Sequence, residues 1–189
     1  HTNGNKFRER SLDDVFAELD HLLSKYNIEY LNLADELFSP RFVRAKAFCE
    51  RMEPYKLPWY ADFRIDRVNE ELLGMLKKAG CDTMFFGLES ADNRILKSMM
   101  KHLTIEQIEK GLETATASGI QVYGCFIFGD KDETVETAHN TLKWWRDHPQ
   151  YNIHLTLMKP FPGTYIYNYA VKEGIIKDPH QYLRDGCPQ

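Results

Sequence analysis

The feature that most constrains this chain is an alternation. Short apolar or β-branched runs, Ile28 to Leu33, Trp59 to Ile65, Thr83 to Leu88, Val122 to Phe128 and Ile153 to Met158, are separated by longer stretches of helical periodicity. Runs of this kind read as strands of a parallel sheet, buried on both faces because helices cover them. Helix–strand order repeated about five times makes right-handed crossovers, and so parallel strands, the simplest connection. The expected fold class is α/β, of barrel or open-sheet type.

Helix signals support this order. Leu12, Val15, Phe16, Leu19, Leu22 and Leu23 share one face, with Ser11 as cap and Asp14 three residues later. Phe42, Val43, Ala47 and Phe48 mark a second helix, with Ser39 as cap and Pro40 in its first turn. Leu72, Leu73, Leu76 and Ala79 mark a third, stopped by Gly80. Ile105, Ile108, Leu112 and Ala115 follow, opened by Thr104 with Gln107 and closed by Gly119. Val135, Ala138, Leu142 and Trp145 predict the face of the next, ended before Pro149. Tyr165 to Lys172, stopped by Gly174, is the last substantial helix expected.

Composition sets outer bounds. A chain of 189 residues, 43% hydrophobic and 28% charged, suits a single domain over residues 1–189 with a sizeable core. A net charge of -4 gives no reason to expect nucleic acid or an anionic membrane as partner. No apolar stretch approaches the roughly 18 residues of a membrane span. Cys49, Cys81, Cys125 and Cys187 form no close pair, so a reduced, cytoplasmic setting is expected rather than a disulfide scaffold or zinc site. Cys49 and Cys125 read as small buried residues.

Ligands of parallel α/β folds bind at the carboxyl ends of the strands. Here those ends carry Ala34-Asp35-Glu36, Arg64 and Asp66, Glu89-Ser90, Gly129 to Glu133, and Lys159 followed by Pro160 to Thr164. Glu89 is expected to emerge at a wet rim, since an unpaired buried carboxylate costs many kcal/mol. Asp66, Asp132 and Glu133 are also explained as helix N-terminal residues favoured by the macrodipole. His154 reads as a satisfied core histidine. Lys159 is the one rim lysine placed for a Schiff base, and without a tuned partner it supports an aldolase-like reading only thinly.

Six segments, in order, resemble the radical S-adenosylmethionine (SAM) superfamily. They are "KFRERSLDDVFAEL", "YLNLADELFS", "ADFRIDRVNEELLGMLKKAGC", "MFFGLESADNRILKSMMKHLT", "GIQVYGCFIFGDKDETVET" and "PFPGTYIY". The likeness is to the cobalamin-associated branch, which includes anaerobic magnesium-protoporphyrin ester cyclases and methylthiotransferase-like enzymes. It implies a partial TIM-like barrel of six β/α units, about five of whose strands lie in this chain. It also implies a four-iron–four-sulfur cluster held by C-x-x-x-C-x-x-C, with SAM cleaved to a radical that abstracts hydrogen. That motif is absent from the 189 residues. The expectation is a truncated catalytic domain starting downstream of the cysteine loop, lacking the first strand and inactive alone.

The resemblance also suggests site residues. Glu89 and Ser90 match the carboxylate and hydroxyl near the SAM ribose or methionine part. Arg64 suits a carboxylate through its donor fork, and Asp35 faces SAM or substrate. Phe128 and Gly129 match the strand end whose backbone approaches adenine. Pro162 and Gly163 match the loop bordering the substrate. Arg8 and Arg10 match a basic pair near the cluster loop, or a solvated face. Implied partners are a small-molecule substrate, a reductant such as flavodoxin or ferredoxin, and possible cobalamin through a further domain. An unpaired edge on the Ile28 to Leu33 strand predicts self-association. The competing reading is a non-catalytic α/β binding module that has lost its cluster.

Overall fold

The computed structural model describes residues 8–35, 37–38 and 41–188. Ser39, Pro40 and Glu36, and the Asn3-Gly4-Asn5 start, lie outside the described residues. Helix α1 (Leu12–Lys25) starts where the Ser11 side chain accepts the Asp14 N–H, and it buries Phe16 and Leu19. Strand β1 (Leu31–Leu33), helix α2 (Phe42–Met52) and strand β2 (Trp59–Phe63) follow. Helix α3 (Glu70–Lys78) leads into β3 (Cys81–Glu89) through Gly80, whose φ of 91° glycine alone tolerates easily. A short α4 (Asn93–Ser98) precedes α5 (Ile105–Ala117), which opens with a Thr104–Gln107 capping box. Strand β4 (Gln121–Phe128), α6 (Val135–Asp147), β5 (Asn152–Leu157), α7 (Tyr165–Lys172) and a short α8 (Pro179–Arg184) complete the order.

The five strands form one sheet in sequence order, β1-β2-β3-β4-β5, and every pair is parallel. Without a reversal of strand order, crossovers of one hand place the helices on one face. This distinguishes a partial barrel from a doubly wound sheet, which needs a switch point. Trp59, Ala61, Phe63, Met84, Phe86, Leu88, Val122 and Phe126 point into the core, with Phe48, Met52, Leu73, Leu76, Ile108 and Leu112 from the helices. Gly124 belongs to this layer; a Cβ there would meet Leu88 Cδ1 at 2.6 Å. Burying about thirty such residues supplies the main stabilisation, at roughly 25 cal/mol per Å² of apolar surface. No helix among the described residues is long and apolar enough to cross a membrane.

Several expectations need correction. The strands are not buried on both faces: along β3 and β4, buried residues alternate with half-buried ones, so one face of the sheet is less covered among the described residues. Cys125 is therefore half-buried, and His154 is exposed rather than a core histidine. The first strand is three residues long instead of six. On α6, Val135 is 79% exposed and Leu142 and Trp145 are each 40% exposed, while Thr137 and Thr141 are buried. Apolar spacing misplaced that face, which is made instead by the buried hydroxyls of Thr137 and Thr141 and by Trp144 packed edge-on to Phe126. Asp132 and Glu133 precede the N-cap Thr134 and belong to the β4–α6 loop.

Candidate functional site

Because the strands are parallel, their carboxyl ends share one rim. Asp35, Arg64, Glu89, Gly129 and Pro162 follow or close β1, β2, β3, β4 and β5 in that order. Arg64, Glu89 and Gly129 end the three middle strands; Glu89 is in register with Phe126, so Gly129 lies three residues further along β4. Asp35 is exposed beyond β1, and Pro162 and Gly163 lie exposed in the turn closed by Thr164 N–H to Phe161 O at 3.1 Å.

Glu89 is the residue on which the site turns. It has φ 69°, and the β3–β4 register shifts between Gly87 and Glu89. A left-handed conformation at a non-glycine residue costs of order 1–2 kcal/mol and persists only where its surroundings enforce it. What enforces it is the ion pair from Lys101 Nζ to Glu89 Oε1, 2.9 Å, with side chains 17% and 19% exposed. The rim is thus drier at Glu89 than expected, and the carboxylate is tolerated because it is paired. Its second oxygen, Oε2, is buried and has no hydrogen-bond partner among the described residues. Such an orphaned acceptor costs about 1–3 kcal/mol.

Lys101 reaches this position through an equally unusual loop. Met100 and Lys101 close α4 in a Schellman-type turn, with Lys101 N–H bonded to Leu96 O at 2.9 Å. Met100 and His102, on either side of Lys101, have φ of 52° and 57°. Gly87 lies beneath the pair: a Cβ there would meet Glu89 Oε1 at 2.7 Å and Lys101 Nζ at 3.3 Å. Arg64 forks onto Asp66 through Nε at 2.9 Å and Nη2 at 3.2 Å, and Nη2 also approaches Lys101 O at 3.4 Å. The structure therefore brings Arg64 and Glu89 together through Lys101. The sequence offered no signal for Lys101, a loop residue outside any periodic pattern.

Ser90 is placed differently from its neighbour. The turn that lifts Glu89 drops Ser90 beneath the rim, 1% exposed, where its Oγ lies 2.9 Å from Thr141 Oγ1 and accepts the Asp92 N–H. Its hydroxyl ties the loop to α6. Asp92 belongs to the same network: Arg94, and then Asn140, hold its carboxyl at about 2, below the usual carboxylate range. Phe128 packs partly against the core, and its carbonyl accepts Met158 N–H at 2.6 Å. Gly129 is exposed with φ 104°, and its N–H donates to Glu133 Oε2 at 2.5 Å. Burial raises the Glu133 carboxyl above its ordinary value. Arg10 pairs with Glu18 along exposed α1, and Arg8 is exposed, consistent with a solvated face.

Among the described residues no group of three His, Cys, Asp or Glu side chains is arranged to hold a metal ion. Cys49 and Cys81 are buried, and burial pushes the Cys49 thiol up to about 12 and the Cys81 thiol up as well. Such thiols are poor thiolate donors. A cavity of about 350 Å³ lined by Phe16, Arg51, Pro54 and Tyr55 shares no residue with the rim.

The arrangement matches known proteins. The family model of the radical SAM superfamily covers residues 1–144. An uncharacterised methyltransferase of Pyrococcus horikoshii is 32% identical over 179 residues, 92% of this chain and 38% of that protein. The anaerobic magnesium-protoporphyrin IX monomethyl ester cyclase of Rubrivivax gelatinosus is 31% identical over 147 residues, 75% of this chain and 26% of the cyclase. The radical SAM methyltransferase TsrM of Kitasatospora setae, solved with cobalamin and a [4Fe-4S] cluster bound, shares the fold at a TM-score of 0.75 and 19% identity, covering 87% of this chain and 32% of TsrM. The chain thus spans little more than a third of these proteins' lengths at most. With its parallel partial barrel and the family's match over residues 1–144, the chain belongs to the radical SAM superfamily.

Proposed function

We propose that these 189 residues act as one domain that cradles SAM within a larger radical SAM enzyme, an oxidoreductase or transferase acting on a small molecule. The observation that carries this reading is the Glu89 carboxylate: strained backbone, one oxygen on Lys101, and the other buried with no partner. An orphaned acceptor at a rim of this fold suits the donors of a ribose or an ammonium group. Gly129, with exposed backbone and no side chain, suits close approach of a flat base. Arg64, already forked onto Asp66, positions the Lys101 loop. Asp35, Pro162 and Gly163 border the ligand from the outer strands, and Ser90 acts by fixing the loop rather than through its hydroxyl.

The residues present suit SAM but not the cluster. No C-x-x-x-C-x-x-C occurs in the sequence, and the buried, high-pKa Cys49 and Cys81 do not replace it. In the family the cluster supplies the electron that cleaves SAM, delivered in this reading from a reductant such as flavodoxin or ferredoxin. Cobalamin, bound by TsrM, fits as a further cofactor of the longer protein, in a cytoplasmic setting. Alone, the chain is inactive and binds SAM weakly.

The test is calorimetric titration of SAM into the chain and into Glu89→Gln. The expected result is saturable binding with a dissociation constant of about 100 μM or weaker, lowered at least about tenfold in affinity by the substitution. Equal binding by the variant would overturn the assignment of Glu89. Formation of 5′-deoxyadenosine by the chain after supply of iron, sulfide and dithionite would overturn its inactivity. Cluster-free, low-micromolar binding would favour the competing reading of a stand-alone binding module.

A further inference from the structure

The loops that follow β3 and β4 carry the two sides of the proposed SAM site, and a serine joins them. Sheet register alone leaves the sides apart, since Glu89 faces Phe126 and Gly129 lies three residues further along the chain. Ser98, the last residue of α4, closes that gap. Its Oγ lies 2.6 Å from Asp130 Oδ1 and 2.8 Å from Asp132 Oδ2, both in the β4–α6 loop. Lys101 stands three residues after Ser98, and Gly129 one residue before Asp130. Other serines at helix ends behave differently. Ser24 and Ser118 donate to carbonyls three residues back in their own helices, His21 O and Ala115 O. Ser98 reaches across to another loop instead.

A hydroxyl has one proton to donate, and here it faces two carboxylate oxygens. Neither is left bare when the proton serves the other. Asp130 Oδ1 also accepts the Asp132 N–H at 3.0 Å, and Asp132 Oδ2 also accepts Lys131 Nζ. Lys131, and then Ser98, hold the Asp132 carboxyl below its ordinary value, so it is a charged and therefore strong acceptor. The acceptor loop is braced from within: Glu133 N–H donates to Asp130 O at 2.9 Å, and Gly129 N–H to Glu133 Oε2. On the donor side, α4 ends in the turn that sets Lys101 against Glu89, with left-handed φ at Met100 and His102. Such a turn is held by its surroundings rather than by its own preference. The start of α4 is anchored to α6 by Arg94 on Glu136 and by Asn140 on Asp92. Its end is anchored by Ser98.

We infer that Ser98 is a positioning residue of the SAM site: its hydroxyl latches the turn bearing Lys101 to the loop bearing Gly129, so that both sides keep their geometry as one unit. The inference rests on the proposed function, which puts a ribose or ammonium group at Glu89 and the base at Gly129. Ser98 touches no ligand. It acts through Lys101 on Glu89, and through Asp130 on Gly129. Two sides held together in advance need not be ordered separately when a ligand binds, and affinity rises by the cost avoided. Without the hydroxyl, both carboxylates lose a shared donor and the end of α4 loses its bond to the β4–α6 loop.

Amide hydrogen exchange and SAM calorimetry on wild type, Ser98→Ala, the pair Asp130→Ala with Asp132→Ala, and the triple variant make one cycle. In Ser98→Ala, exchange should be at least about fivefold faster at Met100 and Lys101, and also at Asp132 and Glu133 across the gap. Leu96, bonded to Asp92 O near the start of α4, is the control and should not change. At Met100 and Lys101 the aspartate pair and the triple variant should match Ser98→Ala, because a latch is broken only once. SAM affinity should fall about fivefold in Ser98→Ala. Faster exchange at Met100 and Lys101 alone is fraying of a helix end and would overturn the inference, as would additive effects in the triple variant. If the aspartate variants fail to fold, the Ser98→Ala comparison still decides. The calorimetry separates the two claims. SAM binding that Ser98→Ala leaves unchanged fells the positioning role alone, whereas the full exchange pattern in a chain that binds no SAM fells the proposed function alone.

Discussion

Glu89 shows how one residue joins backbone strain and a paired charge. Its positive φ directs the carboxylate over Gly87 onto Lys101, and Oε2 is left without a hydrogen-bond partner among the described residues. Gly87→Ala tests this directly. The new Cβ would meet the ends of two flexible side chains, not backbone. The fold should survive at a cost of about 1–3 kcal/mol, while SAM affinity falls at least about tenfold as the carboxylate moves; denaturant melts and calorimetry measure the two effects. Asp92 is a structural counterpart. Its folded pKa, about 2, lies below the unfolded value, so its contribution is present above about pH 4 and is lost as the pH falls toward 2. That contribution is about 2 kcal/mol at most, less where the exposed Arg94 guanidinium is screened. Urea titrations should therefore show wild type losing stability more steeply than Asp92→Asn over this window.

Among the elements, α6 differs most from its sequence pattern. Val135 and Leu142 are exposed and Trp145 is 40% exposed with its indole N–H on Ile153 O, while Thr137 and Thr141 are buried and Trp144 packs against Phe126. Thr141 Oγ1 lies against Ser90 Oγ and accepts the Ala91 N–H at 3.2 Å, so the helix is clamped to the β3–α4 loop by hydroxyl chemistry. Thr141→Val should lower stability by about 1–3 kcal/mol, because buried partners lose their bonds. Leu142→Lys, on the predicted apolar face, should change stability by no more than about 0.5 kcal/mol. Thermal melts giving the opposite order would contradict this placement of α6. Helix α5 packs by a different device: Gly111 sits against Ile65, where a Cβ would lie 2.5 Å from Ile65 Cγ1 and 3.0 Å from its carbonyl oxygen. Close approach of the helix to the 3-10 turn at Ile65–Arg67 explains that glycine, and the turn carries the chain from Arg64 onward.

At the scale of the molecule, the sheet has two edges, β1 and β5, and the outer side of β5 exposes Leu155 and Leu157 near Trp145 of α6. Sheet edges with exposed apolar flanks favour self-association. Sedimentation velocity should show mass rising with concentration, and Leu155→Lys should reduce it; a clean monomer at high concentration in both proteins would refute the expectation. The strand order and the open concave face also explain what could be read in advance. Strand and helix identities followed from short-range physics: runs of Trp59 to Phe63 or Met84 to Leu88 are mostly apolar, and Ser11, Asn69 and Thr104 each accept an N–H three residues on. Parallel pairing followed from the same alternation, and with it the shared rim of Arg64, Glu89 and Gly129. The tertiary structure alone decided which sheet face stays open, why His154 and Cys125 belong to it, that Ser90 turns inward, and that Lys101 completes Glu89. Those outcomes depend on contacts between residues far apart in the chain, and on left-handed turns at Glu89, Met100 and His102, whose cost is met only once the loop and the strand end have come together.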